Sequence, residues 1–111
     1  MSERNPLNIE NQVDGQGNPT GGSVHSIGLH IDWQNGPLGR DWKTATPNGT
    51  FVDDVIEAAR QRIEFYQKAA SGKFACRENA IAITKLDEAL LWLQSRRDSR
   101  EKRGVQGTHQ A

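Results

Sequence analysis

Two apolar stripes at helical spacing, parted by Ser71-Gly72, constrain this chain more than any other feature. The first runs Val52, Val55, Ile56, Ala59, Ile63 and Tyr66; the second runs Cys76, Asn79, Ile83, Leu86, Leu90 and Leu93. Each stripe defines one face of a helix. Ser71-Gly72 stops the first helix, so the pair reads as an αα-hairpin. Thr50, with Asp53 three residues on, predicts the N-cap and capping box of a helix over 50–70. The second helix is expected over 75–103, with Gly104 as its C′ residue. At 1.5 Å per residue the two are about 30 and 42 Å long. Asn79 is the anomaly, an amide in an otherwise apolar register. A buried amide needs a hydrogen-bond partner, which a second subunit or a bound polar molecule would supply.

The N-terminal half reads as β structure. Leu7, Ile9 and Val13 indicate a short first strand. Asp14–Ser23 reads as a loop because it holds four glycines and a proline. Ile27, Leu29, Ile31 and Trp33 then alternate with Gly28, His30 and Asp32, which predicts one buried and one polar face. Gln34-Asn35-Gly36-Pro37 ends that strand. Residues 38–47 look irregular, with Trp42 as their large anchor. The expected organisation is one α+β domain over 1–111. Residues 1–23 are loop-rich or weakly structured, 24–37 hold the main strand, and 104–111 form a tail. A small antiparallel β element packs on the hairpin, and oligomerisation completes the fold.

That last expectation comes from composition. Hydrophobic residues make up 34% of the 111, so a lone copy buries little. Lys+Arg and Asp+Glu balance at 14 each, without the basic excess a duplex nucleic-acid binder carries. The one cysteine, Cys76, allows no internal disulfide and fits a reducing compartment. No apolar run reaches membrane-spanning length, and the expected location is cytoplasmic.

Catalytic signatures are lacking. There is no Gly-x-Ser-x-Gly elbow, no His-Glu-x-x-His and no zinc-binding Cys/His spacing, so no metal or cofactor is expected. Asp53, Asp54 and Glu57 cluster at the first helix start, where capping and the dipole account for them. His25 and His30 alternate away from the apolar face and read as solvated. Binding signals are stronger. Phe74, Arg77 and Asn79 bring a ring, a guanidinium and an amide to one helix entrance, which is the kit for a nucleotide. The competing structural roles are a staple for Phe74 and an inter-subunit hydrogen bond for Asn79. Arg96 continues a small-residue stripe of Ala75, Ala82 and Ala89, so it either snorkels to solvent or reaches a ligand. The basic run Arg96, Arg97, Arg100, Lys102, Arg103 otherwise suits the negative end of the helix dipole. The tail, with Thr108 and His109, offers a hydroxyl and an imidazole for docking.

The segment from Phe74 to Leu93 (Phe-Ala-Cys-Arg-Glu-Asn-Ala-Ile-Ala-Ile-Thr-Lys-Leu-Asp-Glu-Ala-Leu-Leu-Trp-Leu) resembles the helical signature of the phage Thoeris anti-defence sponge family. The stretch from Arg96 to His109, the Trp33-Gln34-Asn35-Gly36-Pro37 strand end and Asn48-Gly49-Thr50-Phe51 are similar to the same family. Together the resemblance spans residues 24–111. It implies a non-catalytic protein that sequesters cyclic ADP-ribose isomers, the signals made by Thoeris TIR-domain enzymes. It implies a dimer able to assemble into a hexamer, with signal pockets between subunits. Some members also take cyclic di- or trinucleotides of CBASS in arginine-lined pockets, and related anti-CBASS sponges share the hairpin. On this resemblance Phe65, Tyr66 or Phe74 stacks the ligand, with Asn79 and Arg96 as polar contacts. Arg40, Arg77 and the C-terminal run are the arginines open to a second pocket. The alternatives are an enzyme that degrades the signal and a small phage adaptor that binds a host protein.

Overall fold

Alternating faces on three short strands and two amphipathic helices produce an α+β chain. The computed structural model describes residues 6–36 and 46–104. Strands β1 (Asn8–Val13), β2 (Pro19–Ser26) and β3 (Leu29–Asp32) precede helices α1 (Val52–Gly72) and α2 (Arg77–Lys102). The strands form one antiparallel sheet in the order β1-β2-β3. The chain divides into two compact units, a sheet unit reaching Phe51 and a hairpin unit over Val52–Ser99.

Within the sheet unit, Asp14 closes the β1–β2 loop. Its Oδ1 accepts from the Gln16 and Asn18 amides at 2.8 and 2.9 Å, so the side chain satisfies the turn's donors. The register Ile9↔Val24↔Ile31 puts apolar residues on one face. Val24 and Ile31, each 8% exposed, are the buried apolar residues among those described. The opposite face carries Asn8, Glu10, Ser23, His25, His30 and Asp32.

Two expectations fail here. The second half of the expected 14–23 loop opens the central strand β2, so 1–23 is more structured than its composition suggests. The reason is Gly22, whose φ of +142° and missing Cβ let Glu10 O approach to 2.1 Å from where a Cβ would stand. Glycine serves close strand approach there rather than a turn. The single strand expected through Ile27 is instead broken. Ile27 and Gly28 form a two-residue turn, with Gly28 at φ +77°, and Ile27 is 86% exposed. The alternation therefore runs through a turn, and only Ile31 of its four apolar residues is buried.

After β3 the chain is clasped by amides. Thr50 N donates to Asp32 O at 2.8 Å and Thr50 O accepts from Gln34 N at 3.0 Å. Asn48 Oδ1 accepts from Asn35 N at 2.7 Å, and Gln34 Oε1 accepts from Asn48 N at 2.9 Å. Thr50 is thus an extended bridge residue opposite Trp33 rather than the expected N-cap, and α1 begins at Val52.

The hairpin unit contains no fully buried side chain in either helix. Val55, Ile56 and Ile63 on α1, with Ala82, Ile83, Leu86, Ala89, Leu90 and Leu93 on α2, are half-buried, as their stripes predict. Val52, Tyr66 and Cys76, at the stripe ends, are exposed, and so is Ala59 in the middle of the first stripe. Polar rungs fix the antiparallel register. Asp53, Arg60 and Gln67 stand seven residues apart on α1, two turns per step, and therefore share a face. Asp53 pairs with Arg97, Arg60 with Asp87, and Gln67 with the backbone of Cys76. The capping role expected of Asp53 gives way to this cross-helix pair. At its end α1 unwinds through Ala70 and Ser71, at φ +51° and +58°, before Gly72. Such left-handed non-glycine residues cost about 1 kcal/mol each and make the reversal tight.

Candidate functional site

The tip of the hairpin assembles an exposed aromatic cluster from both sides of this reversal. Phe65 and Tyr66 leave the last regular turn of α1, and Phe74 comes from the link. The Phe65 and Tyr66 rings meet edge to face at 5.8 Å, and Tyr66 meets Phe74 the same way at 6.5 Å. All three stay open to solvent, at 55%, 42% and 51%. Exposed rings held in mutual contact leave faces free for another planar group.

Cations edge this cluster. The Arg62 guanidinium lies 5.1 Å from the Phe65 centroid and 5.0 Å from that of Tyr66, and its Nη2 donates to the Tyr66 hydroxyl at 3.3 Å. Lys73 Nζ sits 5.4 Å from the Phe74 centroid. Both contacts fall in the cation–π range. Arg62 was not among the residues expected from sequence. Its signal was the placement three and four residues before two aromatics on one helix.

Gln67 locks the link to α1. Its Oε1 accepts from Cys76 N at 2.8 Å, and its Nε2 donates to Cys76 O at 3.1 Å. Cys76 in turn caps α2, because its Sγ accepts from Asn79 N at 3.4 Å. This chain of bonds sets where Phe74, Arg77 and Asn79 stand. Asn79 is half-buried, and its side-chain amide bonds to none of the described residues. Arg77 is exposed in the first turn and pairs with none of them either.

The other arginines sort by commitment. Arg60 bridges Asp87 and Glu64, and Asp87 as hydrogen-bond acceptor holds the guanidinium's pKa above its ordinary value. Glu64 also accepts from Lys68 at 2.7 Å. Lys68 and then Arg60 hold its carboxyl below the usual glutamate range. These groups line a shallow open cleft of about 370 Å³ with Gln61 and Phe65. Arg97 pairs with Asp53 and Gln94 rather than serving as a solvated helix end. Glu57 accepts from Gln61 at 2.9 Å. Arg96 is exposed and pairs with none of the described residues.

Phe65, Tyr66, Phe74, Arg77 and Asn79 thus come together near the tip, whereas Arg96 stands apart. Seventeen residues of α2 separate it from Asn79, about 26 Å along the axis. Arg40, Thr108 and His109 lie outside the described residues. Among the described residues, no helix is long and apolar enough to cross a membrane.

Comparison with known proteins adds to this geometry. A curated protein, Thoeris anti-defense 1 of Bacillus phage SBSphiJ7, is 49% identical over 63 residues. Those residues cover 57% of this chain and 42% of the relative, so the match spans less than half of the relative's length. A family model described as the Acb2/Tad1 hairpin domain matches residues 25–97. That span takes in the amide clasp, the three polar rungs and the aromatic tip, while most of the 96–109 segment lies beyond it. With about two thirds of its length matched, the chain belongs to the Acb2/Tad1 hairpin-domain family.

Proposed function

We propose that this chain is a non-catalytic phage anti-defence protein that captures cyclic ADP-ribose isomers, the immune signals of the Thoeris system. The observation that carries the reading is the aromatic trio at the hairpin tip, edged by Arg62 and Lys73 and followed by the uncommitted Arg77 and Asn79. Rings stack adenine, guanidinium meets the pyrophosphate, and the amide meets a ribose hydroxyl. Membership in the hairpin family and the relative named Thoeris anti-defense 1 support the same reading.

Capture is a thermodynamic task. The protein must hold free signal below the level that triggers the downstream effector, which needs affinity and copy number but no turnover. A dissociation constant near 10 nM corresponds to about −11 kcal/mol.

Arg96 enters this account through a second copy. Placed antiparallel, the α2 of another subunit brings its far end to the tip and completes the pocket. Thin burial supports assembly, since Leu91 and Trp92 on α2 are 71% and 70% exposed. Apolar residues this open on a helix suit a subunit interface, and the proposed working form is a dimer able to build a hexamer. Arg40, Arg77 and the C-terminal basic run are the residues proposed for a second, cyclic-oligonucleotide pocket. The site of action is the cytoplasm of the infected cell. Incubating tag-free protein with cyclic ADP-ribose isomers, removing unbound ligand and denaturing tests the reading. Intact ligand in the released fraction supports capture, and a linear product refutes it.

A further inference from the structure

The polar face of the sheet gathers ligand atoms that the capture function does not use. His25 on β2 stands directly opposite His30 on β3, and Asp32 follows on the same face two residues on. The two imidazoles stack with centroids 4.1 Å apart and planes 24° from parallel. His30 Nε2 is 2.9 Å from Asp32 Oδ2, and His25 Nε2 is 4.0 Å from Asp32 Oδ1. One ligand atom from each residue lies within 4.8 Å of the other two, a grouping unique among the described residues. We propose that His25, His30 and Asp32 form a binding site for a transition-metal dication, with Zn²⁺ the leading species.

The spacing suits the ion. Zinc at about 2.0–2.1 Å from each donor in a tetrahedron sets donors about 3.3 Å apart. His30 Nε2 is 2.9 Å from Asp32 Oδ2, inside that value, and His25 Nε2 is 4.0 Å from the other oxygen, Oδ1, outside it. Closing the set needs side-chain rotation alone, because the antiparallel ladder already fixes the backbone positions. The donor chemistry is selective as well. Two imidazoles and one carboxylate suit zinc and its neighbours, whereas Ca²⁺ and Mg²⁺ need about six or more oxygens.

The strand pairing imposes adjacency of the rings but not their shared aim at one carboxylate. Their side chains are 46% and 66% exposed, and that of Asp32 is 68% exposed, so solvent could hydrate each separately. Asn8 and Ser23, the cross-strand neighbours of His25 and Asp32, flank the trio without offering a preferred zinc ligand. Water therefore takes the fourth position, as in open three-ligand sites. On binding, His30 Nε2 exchanges its contact with Asp32 Oδ2 for the ion, which takes the lone pair of a neutral imidazole whose ring proton sits on Nδ1. The ion would tie β2 to β3 across the Ile27-Gly28 turn and stabilise the sheet by mass action.

Calorimetric titration of the tag-free full chain with ZnCl₂ tests this. The expected result is one ion per protomer, with affinity weakened about tenfold or more by His25→Ala and by His30→Ala. Cys76→Ser should bind as the parent does, and MgCl₂ should give no binding heat. Zinc should raise the melting temperature of the parent but not that of His30→Ala, with unchanged circular dichroism showing that the variants fold. Failure of the folded parent to take up zinc overturns the proposal. So does uptake that persists unchanged in the His25→Ala/His30→Ala double variant, which would assign the ion to Cys76 or His109. Neither outcome touches the signal-capture reading, which is scored with a different ligand.

Discussion

Replacing Gln67 with leucine removes both bonds between the α1 end and Cys76 while keeping side-chain bulk and helix propensity. The two bonds are unequal. Cys76 O also accepts from Ala80 N at 3.2 Å, so losing the Gln67 donor leaves it satisfied. Cys76 N has only Gln67 Oε1 among the described residues, so the loss falls on that donor. A net hydrogen bond is worth about 0.5–1.5 kcal/mol, and solvent access at Cys76 softens the penalty. The expected cost of Gln67→Leu is about 1 kcal/mol, or about 4 °C in Tm for a domain of this size. Gln67→Glu keeps the acceptor and adds negative charge near the start of α2, worth about 0.3–1 kcal/mol. That variant should melt close to the parent. Thermal melts by circular dichroism read both, and ligand titration should show Gln67→Leu weakening capture, because the same bonds place Phe74 and Asn79. A Gln67→Leu melt indistinguishable from the parent, or a Gln67→Glu melt as low as that of Gln67→Leu, refutes the reasoning.

Other consequences are equally specific. Tyr66→Ala or Phe74→Ala should weaken binding of a cyclic ADP-ribose isomer about tenfold or more, since one stacked base is worth about 1–3 kcal/mol; unchanged affinity in calorimetry would remove the ring from the site. Because the folded Glu64 carboxyl lies below its ordinary pKa, the stability it adds is full above the usual glutamate range and fades as pH falls through the folded value. Urea midpoints of the parent and Glu64→Gln should therefore differ most near neutral pH and converge in acid, and a pH-independent gap would contradict the pairing. Gly22→Ala should cost about 3 kcal/mol from backbone strain, with the collision against Glu10 O adding to it; normal amide-exchange protection of β1 would show otherwise. Cys76→Ser places a better cap at the start of α2 and should raise stability by about 0.5–1 kcal/mol, visible as a higher melting temperature.

The helices were legible because their apolar stripes repeat over many turns, so a local slip changes little. Val55, Ile63, Leu86 and Leu93 sit where the periodicity placed them. Their ends were less legible because tertiary bonds decide them. Thr50 has the composition of a cap, yet its backbone is drawn into the bridge with Asp32 and Gln34. The sheet was misread for a related reason. Period-two alternation cannot distinguish a strand from two strands joined by a two-residue turn, since Ile27 keeps the phase while leaving the sheet. β2 was hidden because Gly22 answers to the approach of β1 and Gly21 to that of Trp33 and Asn35, contacts without a local signature. The aromatic tip was readable as single residues, whereas Arg62 and Gln67 act through partners. The three rungs on α1 join residues up to forty-four apart and require the hairpin register before they can be seen.

Capture is read most directly in the fate of the bound signal. A cyclic ADP-ribose isomer should remain with the protein through buffer exchange, return chemically unaltered on denaturation, and bind in a fixed ratio to subunits. It should be lost from Phe74→Ala. A linearised product, or a folded protein that retains none of the isomers, would contradict the account.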